Sequence, residues 1–297
     1  PVTGAVHACG HNGQIATMLG VGMGFLDTGI LKDLEGNVAL MAIPAEEYLE
    51  IEYRLALREK GKIKFLGGKQ EFVRLGKFDD VDMVLHAHIR ADMPQRKAEF
   101  GTSLNGFVGK RIRFVGKESH AGAAPEKGIN ALNAALLGLM AVHAQRETFK
   151  EEDTIRVHPI ITKGGDMVNN VPADVRIETY VRGKTIEAIM DASKKVNRAL
   201  RAGAMAVGAE VEITEIPGYM PNINEPRIAS LMKKNTISLL GKENVTEVVH
   251  STASSDVGDL SCLMPTSGIS VGGVEGQGHS RDMKVIDPYM TYVVPAK

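Results

Sequence analysis

The sequence has little cysteine: Cys9 and Cys262 are the only two in 297 residues. Two thiols make no disulfide framework, so a reducing cytoplasm is the default compartment. It has almost no excess of charge, with a formal net charge of −1. That removes any general pull toward nucleic acid or an anionic membrane surface. It has no apolar run long enough to span a bilayer, no internal repeat and no low-complexity tract. It lacks an initiating methionine and a signal-like segment. It begins Pro-Val-Thr-Gly and stops at TYVVPAK, just after an apolar stretch, so both ends are expected to be cut from a longer chain.

What is present is ordinary for a globular protein: 43% hydrophobic and 24% charged residues, enough for one large domain or two of usual size. Helical spacing of apolar residues predicts a mostly buried helix over 13–31, opened by the HACGH turn. The continuous apolar runs NVALMAI (37–43) and VDMVLHAHI (81–89) suit central parallel strands. Between them, residues 50–80 suit a helix and a charged excursion. From about residue 104 the pattern changes. GKRIRFVGK alternates apolar with polar or basic residues, as a strand with one solvated face does. A helix over 128–146, strands at TIRVHPIIT and DVRIETYVR, a long amphipathic helix and the strand AEVEITEI complete a β-α-β-β-α-β order. The predicted fold class is therefore α/β: a catalytic α/β domain with a mostly parallel central sheet, interrupted by an α+β ferredoxin-like lid. The expected boundaries are 1–103 with 217–297 for the catalytic domain and 104–216 for the lid.

Cys9 and His11 sit on a strand-to-helix turn, close enough for both side chains to reach one ion, although alone an ordinary turn explains them. Glu46 and Glu47 follow a proline after a buried run. Neighbouring side chains in extended backbone point to different sides, so one carboxylate can bind metal while the other faces a substrate. The rival explanation is an acidic helix start. His86 and His88 end another buried strand, and His279 follows a fourth. Cys, His and Glu at several loop tips spell a borderline-metal site with room for two ions. Asp256 and Asp259 are open between supporting that site and capping a helix. His143, His158 and His250 are assigned to structure, and Cys262 to a buried small hydrophobe. The glycine-rich GGVEGQG opens no helix in a β-α-β unit, which argues against nucleotide binding.

HACGHN, PAEE, LHAHI, SHAGAAPEKGINALNA and GGDMVNNVP…YVRG, in that order, resemble the amidohydrolase branch of the dinuclear metallopeptidases. That branch includes aminoacylase and the indole-acetyl-amino-acid hydrolases. SSDVGDLS…PT followed by GHS is most similar to the p-aminobenzoyl-glutamate hydrolase B-subunit group. The resemblance implies two divalent ions, zinc or manganese, held by Cys9, His11, Glu47, His86 and His279, with His88 in place of His86 if the register is off by two. It implies Glu46 as general base. It implies that His120 in the lid stabilises the oxyanion across a homodimer and that Asn169 contacts substrate. Asn12 and Gln14 depart from the branch's usual Cys-Gly-His-Asp and second histidine. An aspartate-bearing strand that the family places before the Cys-Gly-His turn would precede Pro1, and a closing helix would follow Lys297.

The sequence thus points to a metal-dependent amide hydrolase acting on an N-acyl or N-aroyl amino acid or a small peptide, with no nucleic-acid or membrane partner. Two other readings compete. A non-catalytic metal-binding or interaction protein would have no need of the Glu46 base. A cysteine hydrolase using Cys9 would be indifferent to chelation.

Overall fold

A computed structural model describes residues 8–93, 96–101 and 103–297. Helices α1 (His11–Thr28), α2 (Ile51–Glu59) and α3 (Gly68–Arg74) precede the first strands, β1 (Val84–Ile89) and β2 (Ala98–Gly101). A short β3 (Ser103–Leu104) leads into β4 (Gly106–Val115), α4 (Ala131–Ala144), β5 (Arg156–Val157), β6 (Ile160–Lys163), β7 (Asp174–Gly183), α5 (Ile186–Ala206) and β8 (Glu210–Pro217). The chain then forms β9 (Asn222–Ile223), α6 (Pro226–Leu240), β10 (Val245–Val248), α7 (Val257–Ser261), β11 (Thr266–Val271), β12 (Val274–Glu275) and β13 (Lys284–Val285). Among the described residues no helix is long and apolar enough to cross a membrane.

Two sheets organise the molecule. The first runs β1-β11-β2-β10; its outer pairings are parallel and the central β11–β2 pairing is antiparallel. Ala87, Ile89, Phe100, Ile269 and Val271 supply its core, and Met290 and Val294 close it from the C-terminal side. The start of α1 lies on the carboxyl end of β1. Gly10 has φ +91°, and a Cβ there would come within 2.9 Å of the Ile89 backbone oxygen. Gly13 has no room either, since its Cβ would meet Ile89 Cγ1 at 2.6 Å. These two glycines let the turn carrying Cys9 and His11 settle beside His88.

The second sheet is antiparallel throughout, in the order β5-β7-β4-β8 with β6 also on β7. With α4 and α5 it carries the β-α-β-β-α-β order, the middle strand being split into β5 and β6 by Pro159. Ile112, Phe114, Val175, Ile177, Ala134, Ala135, Val196 and Leu200 form its own core. The helices touch backbone to backbone, because a Cβ on Gly203 would lie 2.2 Å from Gly138 N. Asn130 caps α4 and Thr185 caps α5 through side-chain oxygens that accept from N–H groups of the first turn. An aromatic cluster joins the two sheets: Tyr48, Phe107, Tyr180 and Tyr219 pack with ring centroids 4.7–5.9 Å apart. The hydroxyls of Tyr48 and Tyr180 donate to Pro217 O (2.7 Å) and Tyr48 O (2.6 Å).

Four local expectations are corrected. Residues 37–43 form no strand: an apolar run specifies burial, not a ladder partner, and Val38 and Leu40 stay exposed. Helix α1 is present but not mostly buried; Leu19, Met23 and Leu26 are 57%, 63% and 76% exposed. Cys262 is exposed rather than buried. Strand β4 does not turn all its basic residues to solvent. Lys110 lies on the helix side with Ile112 and Phe114, and its ammonium donates to Ser193 Oγ (2.7 Å), Asn197 Oδ1 (2.8 Å) and Glu215 Oε1 (2.5 Å).

Candidate metal centre and active site

Four chain segments converge at the carboxyl end of β1. The Gly10 turn supplies Cys9 and His11. The stretch after Pro44 supplies Glu46 and Glu47, and Ala45 there takes φ +61°, a left-handed conformation uncommon for a residue with a Cβ. Its carbonyl is held by Gly68 N–H (3.2 Å), and the hydroxyl of Tyr219 donates to Glu46 O, so the strained turn is fixed from α3 and from β8's exit. β1 supplies His88. The loop after β12 supplies His279, at φ +62° with its N–H on Ala8 O (2.6 Å).

The side chains meet closely. His279 Nε2 lies 3.1 Å from Cys9 Sγ and 3.3 Å from Glu47 Oε1. His88 Nε2 is 3.8 Å from Cys9 Sγ, and His11 Nε2 is 3.4 Å from Glu46 Oε2. Cys9, Glu47 and His279 each offer a donor atom within 4.8 Å of the others, and so do His11, Glu46 and Glu47. Glu47 belongs to both groups, the place a carboxylate bridging two ions would take. This mixed thiol, imidazole and carboxylate set suits borderline metals such as zinc.

The electrostatics favour a cation. Burial, with Glu47 and then Glu46 beside it, pushes the Cys9 thiol up to about 12. Burial alone would raise the Glu46 carboxyl, but hydrogen bonds from His11 and Ser255 and the charge of Lys69 outweigh it and hold the group below its ordinary value. The Glu46 hydrogen bond raises His11 against the effect of burial. Burial drops His88 to about 4, leaving a neutral imidazole, the form that ligates. Two neighbouring carboxylates beside a thiol that resists ionisation form an arrangement that a divalent ion relieves.

One expected ligand is not brought in. His86 lies two residues below His88 on the same face of β1, about 6.6 Å further from the strand end at ~3.3 Å per residue. Its buried imidazole covers the backbone of Gly268, where a Cβ would be 2.2 Å from the ring, and its Nε2 has no partner. The pleat therefore puts His88, and not His86, beside Cys9. His120 and Asn169 stand together in the second sheet's loops, with Asn169 O accepting from Ala121 N (2.9 Å). Both are exposed, and no hydrogen bond or ion pair among the described residues joins either to the cluster.

Three contributors carry no motif that sequence alone would single out. Ser255 Oγ donates to Glu46 Oε1 at 2.9 Å. Asp256, fully buried, occupies the cap position of α7 but caps nothing; it binds Lys69 instead. Lys69 does leave one legible signal: a cation in the first turn of a helix opposes the macrodipole and calls for a carboxylate. Arg182 is the third. Its guanidinium lies 5.7 Å from both the Phe107 and Tyr180 ring centres and within the field of Glu47. Of the histidines assigned to structure, His250 bonds Ser103 and Asn105.

Comparisons with known proteins bear on this geometry. A model of peptidase family M20/M25/M40 matches residues 1–292. The Xaa-Arg dipeptidase of Mus musculus is 29% identical over 265 residues, covering 87% of this chain and 56% of that protein. One of the p-aminobenzoyl-glutamate hydrolase subunits of Escherichia coli is 26% identical over 256 residues, covering 85% of this chain and 53% of that protein. The chain therefore spans about half the length of these curated relatives. The crystal structure of the Bacillus subtilis YXEP protein, described as a dinuclear metal binding peptidase, superposes with a TM-score of 0.68 at 18% identity, over 98% of this chain and 70% of that one.

Proposed function

Because the chain belongs to peptidase family M20/M25/M40, we propose that it hydrolyses the amide bond of N-acyl or N-aroyl amino acids or small peptides. Cys9, His11, Glu47, His88 and His279 would hold two divalent ions, zinc or manganese. When bound, such ions polarise a carbonyl and lower the pKa of water to near neutrality. The observation that carries the reading is Glu47 shared between two three-residue donor groups with Glu46 beside it.

The chain's own residues then perform the proton work. Glu46, ionised and oriented by Ser255, accepts a proton as water adds to the amide carbon. It returns that proton to the nitrogen as the C–N bond breaks, releasing acid and amine. His120 is suited to donate to the carbonyl oxygen. Its Nδ1 accepts from the N–H groups of Gly122 (3.1 Å) and Ala123 (3.0 Å), so the neutral ring carries its proton on Nε2. Its distance from the cluster supports action in trans, in the site of a second copy, with residues 104–216 as a lid that also dimerises. Asn169 beside it would touch the substrate. Arg182 makes no ion pair among the described residues, which favours a substrate bearing a carboxylate. The two free thiols fit a reducing cytoplasm.

The test is chelation. The protein loaded with zinc or manganese is assayed against a panel of N-acyl amino acids and dipeptides, before and after dialysis with a chelator. Turnover should vanish and return with metal. Turnover that survives chelation would place the chemistry on Cys9, and a silent panel would leave a binding protein.

A further inference from the structure

We infer that Lys69 and Asp256 form a positioning clamp that sets the hydroxyl of Ser255 against Glu46 and so fixes the orientation of the base. The inference rests on the proposed function, because it takes Glu46 to be that base.

The clamp is unusual in its construction. Asp256 is fully buried, and both its oxygens are taken by one residue: Oδ1 by the Lys69 ammonium (2.6 Å) and Oδ2 by the Lys69 backbone N–H (3.0 Å). Lys69 is in the first turn of α3, and Asp256 opens α7, 187 residues later. An isolated buried pair adds little to stability, since desolvation offsets the attraction. Its value lies in geometry. It fastens the loop before α7 to the helix that also holds the Ala45 turn. On the other side Gly258 presses on Met220, where a Cβ would lie 1.9 Å from the carbonyl oxygen. The loop is thus gripped on both sides of Ser255–Val257.

Ser255 is the residue next to the clamp. Its Oγ donates to Glu46 Oε1 at 2.9 Å, while Glu46 Oε2 faces His11 at 3.4 Å and the Glu46 carbonyl accepts from Tyr219. Each carboxylate oxygen and the backbone have a separate holder. A base tied in this way loses little rotamer freedom when substrate arrives, and its free lone pairs are aimed in advance. Removing the hydroxyl, or letting its loop drift, costs turnover and leaves ground-state binding alone.

The test compares Ser255→Ala, Ser255→Thr, Asp256→Asn and Glu46→Gln in the metal-loaded protein. Ser255→Ala should lower kcat about 10- to 100-fold, the worth of one hydrogen bond to a charged group, with KM, bound metal and melting midpoint unchanged. Ser255→Thr, which keeps the hydroxyl, should restore most of kcat. Asp256→Asn should lower kcat likewise and also speed amide hydrogen exchange at Lys69 and over residues 251–259, a readout independent of turnover. Wild-type kcat in Ser255→Ala, no rescue by Ser255→Thr, or unaltered exchange in Asp256→Asn overturns the clamp. Glu46→Gln separates the two levels. If it is inactive while Ser255→Ala is fully active, only the clamp fails. If it is fully active, or if the wild type turns over no substrate, the proposed function fails and takes the clamp with it.

Discussion

Glu215→Gln probes the least expected feature of the second sheet, its buried lysine. Lys110 is fully buried on β4, and Glu215 stands opposite it on β8 in direct register. The carboxylate takes hydrogen bonds from Lys110, Ser193 (2.8 Å) and Asn197 (2.9 Å). Removing one partner of a fully buried pair costs about 3–5 kcal/mol. Glu215 is 41% exposed at its side chain, and Ser193 and Asn197 keep serving the ammonium, so a loss of about 2 kcal/mol is the better figure. For a unit of about 110 residues that lowers the melting midpoint by roughly 6–10 °C. The pH dependence has a definite sign. Although burial opposes it, the hydrogen bonds from Lys110, Asn197 and Ser193 hold the Glu215 carboxyl down at about 2, below its ordinary 4.5. A depressed carboxylate adds stability that is complete above about pH 4.5 and is lost as pH falls toward 2. Thermal melts of wild type and variant, with hydrogen exchange at β4 and α5, should therefore differ most near pH 7 and converge near pH 2. A difference that stays constant across that range would refute the charge as its source.

Other outcomes follow from the site. His88→Ala should weaken metal binding by more than the roughly 10- to 100-fold that a supporting residue costs, while His86→Ala keeps the metal content of wild type; elemental analysis decides between them. Mixing inactive His120→Ala and Glu46→Gln proteins should restore activity toward a quarter of wild type after subunit exchange, because about half the dimers are mixed and each holds one intact site of two. No recovery despite proven exchange would remove His120 from a trans role. Arg182→Ala should raise KM about 10- to 100-fold for substrates with a free carboxylate and leave their amides unaffected; equal effects on both would discard the carboxylate contact.

Much of the fold is legible in the sequence, and the gaps have physical causes. The order of strands and helices over 106–217 follows from periodicity, because each element buries one face against a single core. The apolar run at 37–43 misleads because apolar composition states only that burial is favourable, while a strand also needs a backbone partner. Alternation along β4 places Lys110 with Ile112 and Phe114, but a lysine is ordinarily assigned to solvent. Only its cross-strand partner Glu215, 105 residues away, makes burial tolerable. The ligand-type residues stand out at their strand ends, yet choosing between His86 and His88 requires knowing how far β1 rises toward the Gly10 turn. Ser255, Lys69 and Asp256 carry no motif of their own, since their meaning comes from contacts made across nearly two hundred residues.

The central claim is that Glu46 is the base of a metal-dependent amide hydrolysis. The measurement that tests it most directly takes wild type and Glu46→Gln through the same two assays, bound metal per chain and turnover of N-acyl amino acids. The account predicts equal metal in both proteins and a rate about 10²- to 10⁴-fold lower in Glu46→Gln. Near wild-type turnover by Glu46→Gln with its metal in place would contradict it.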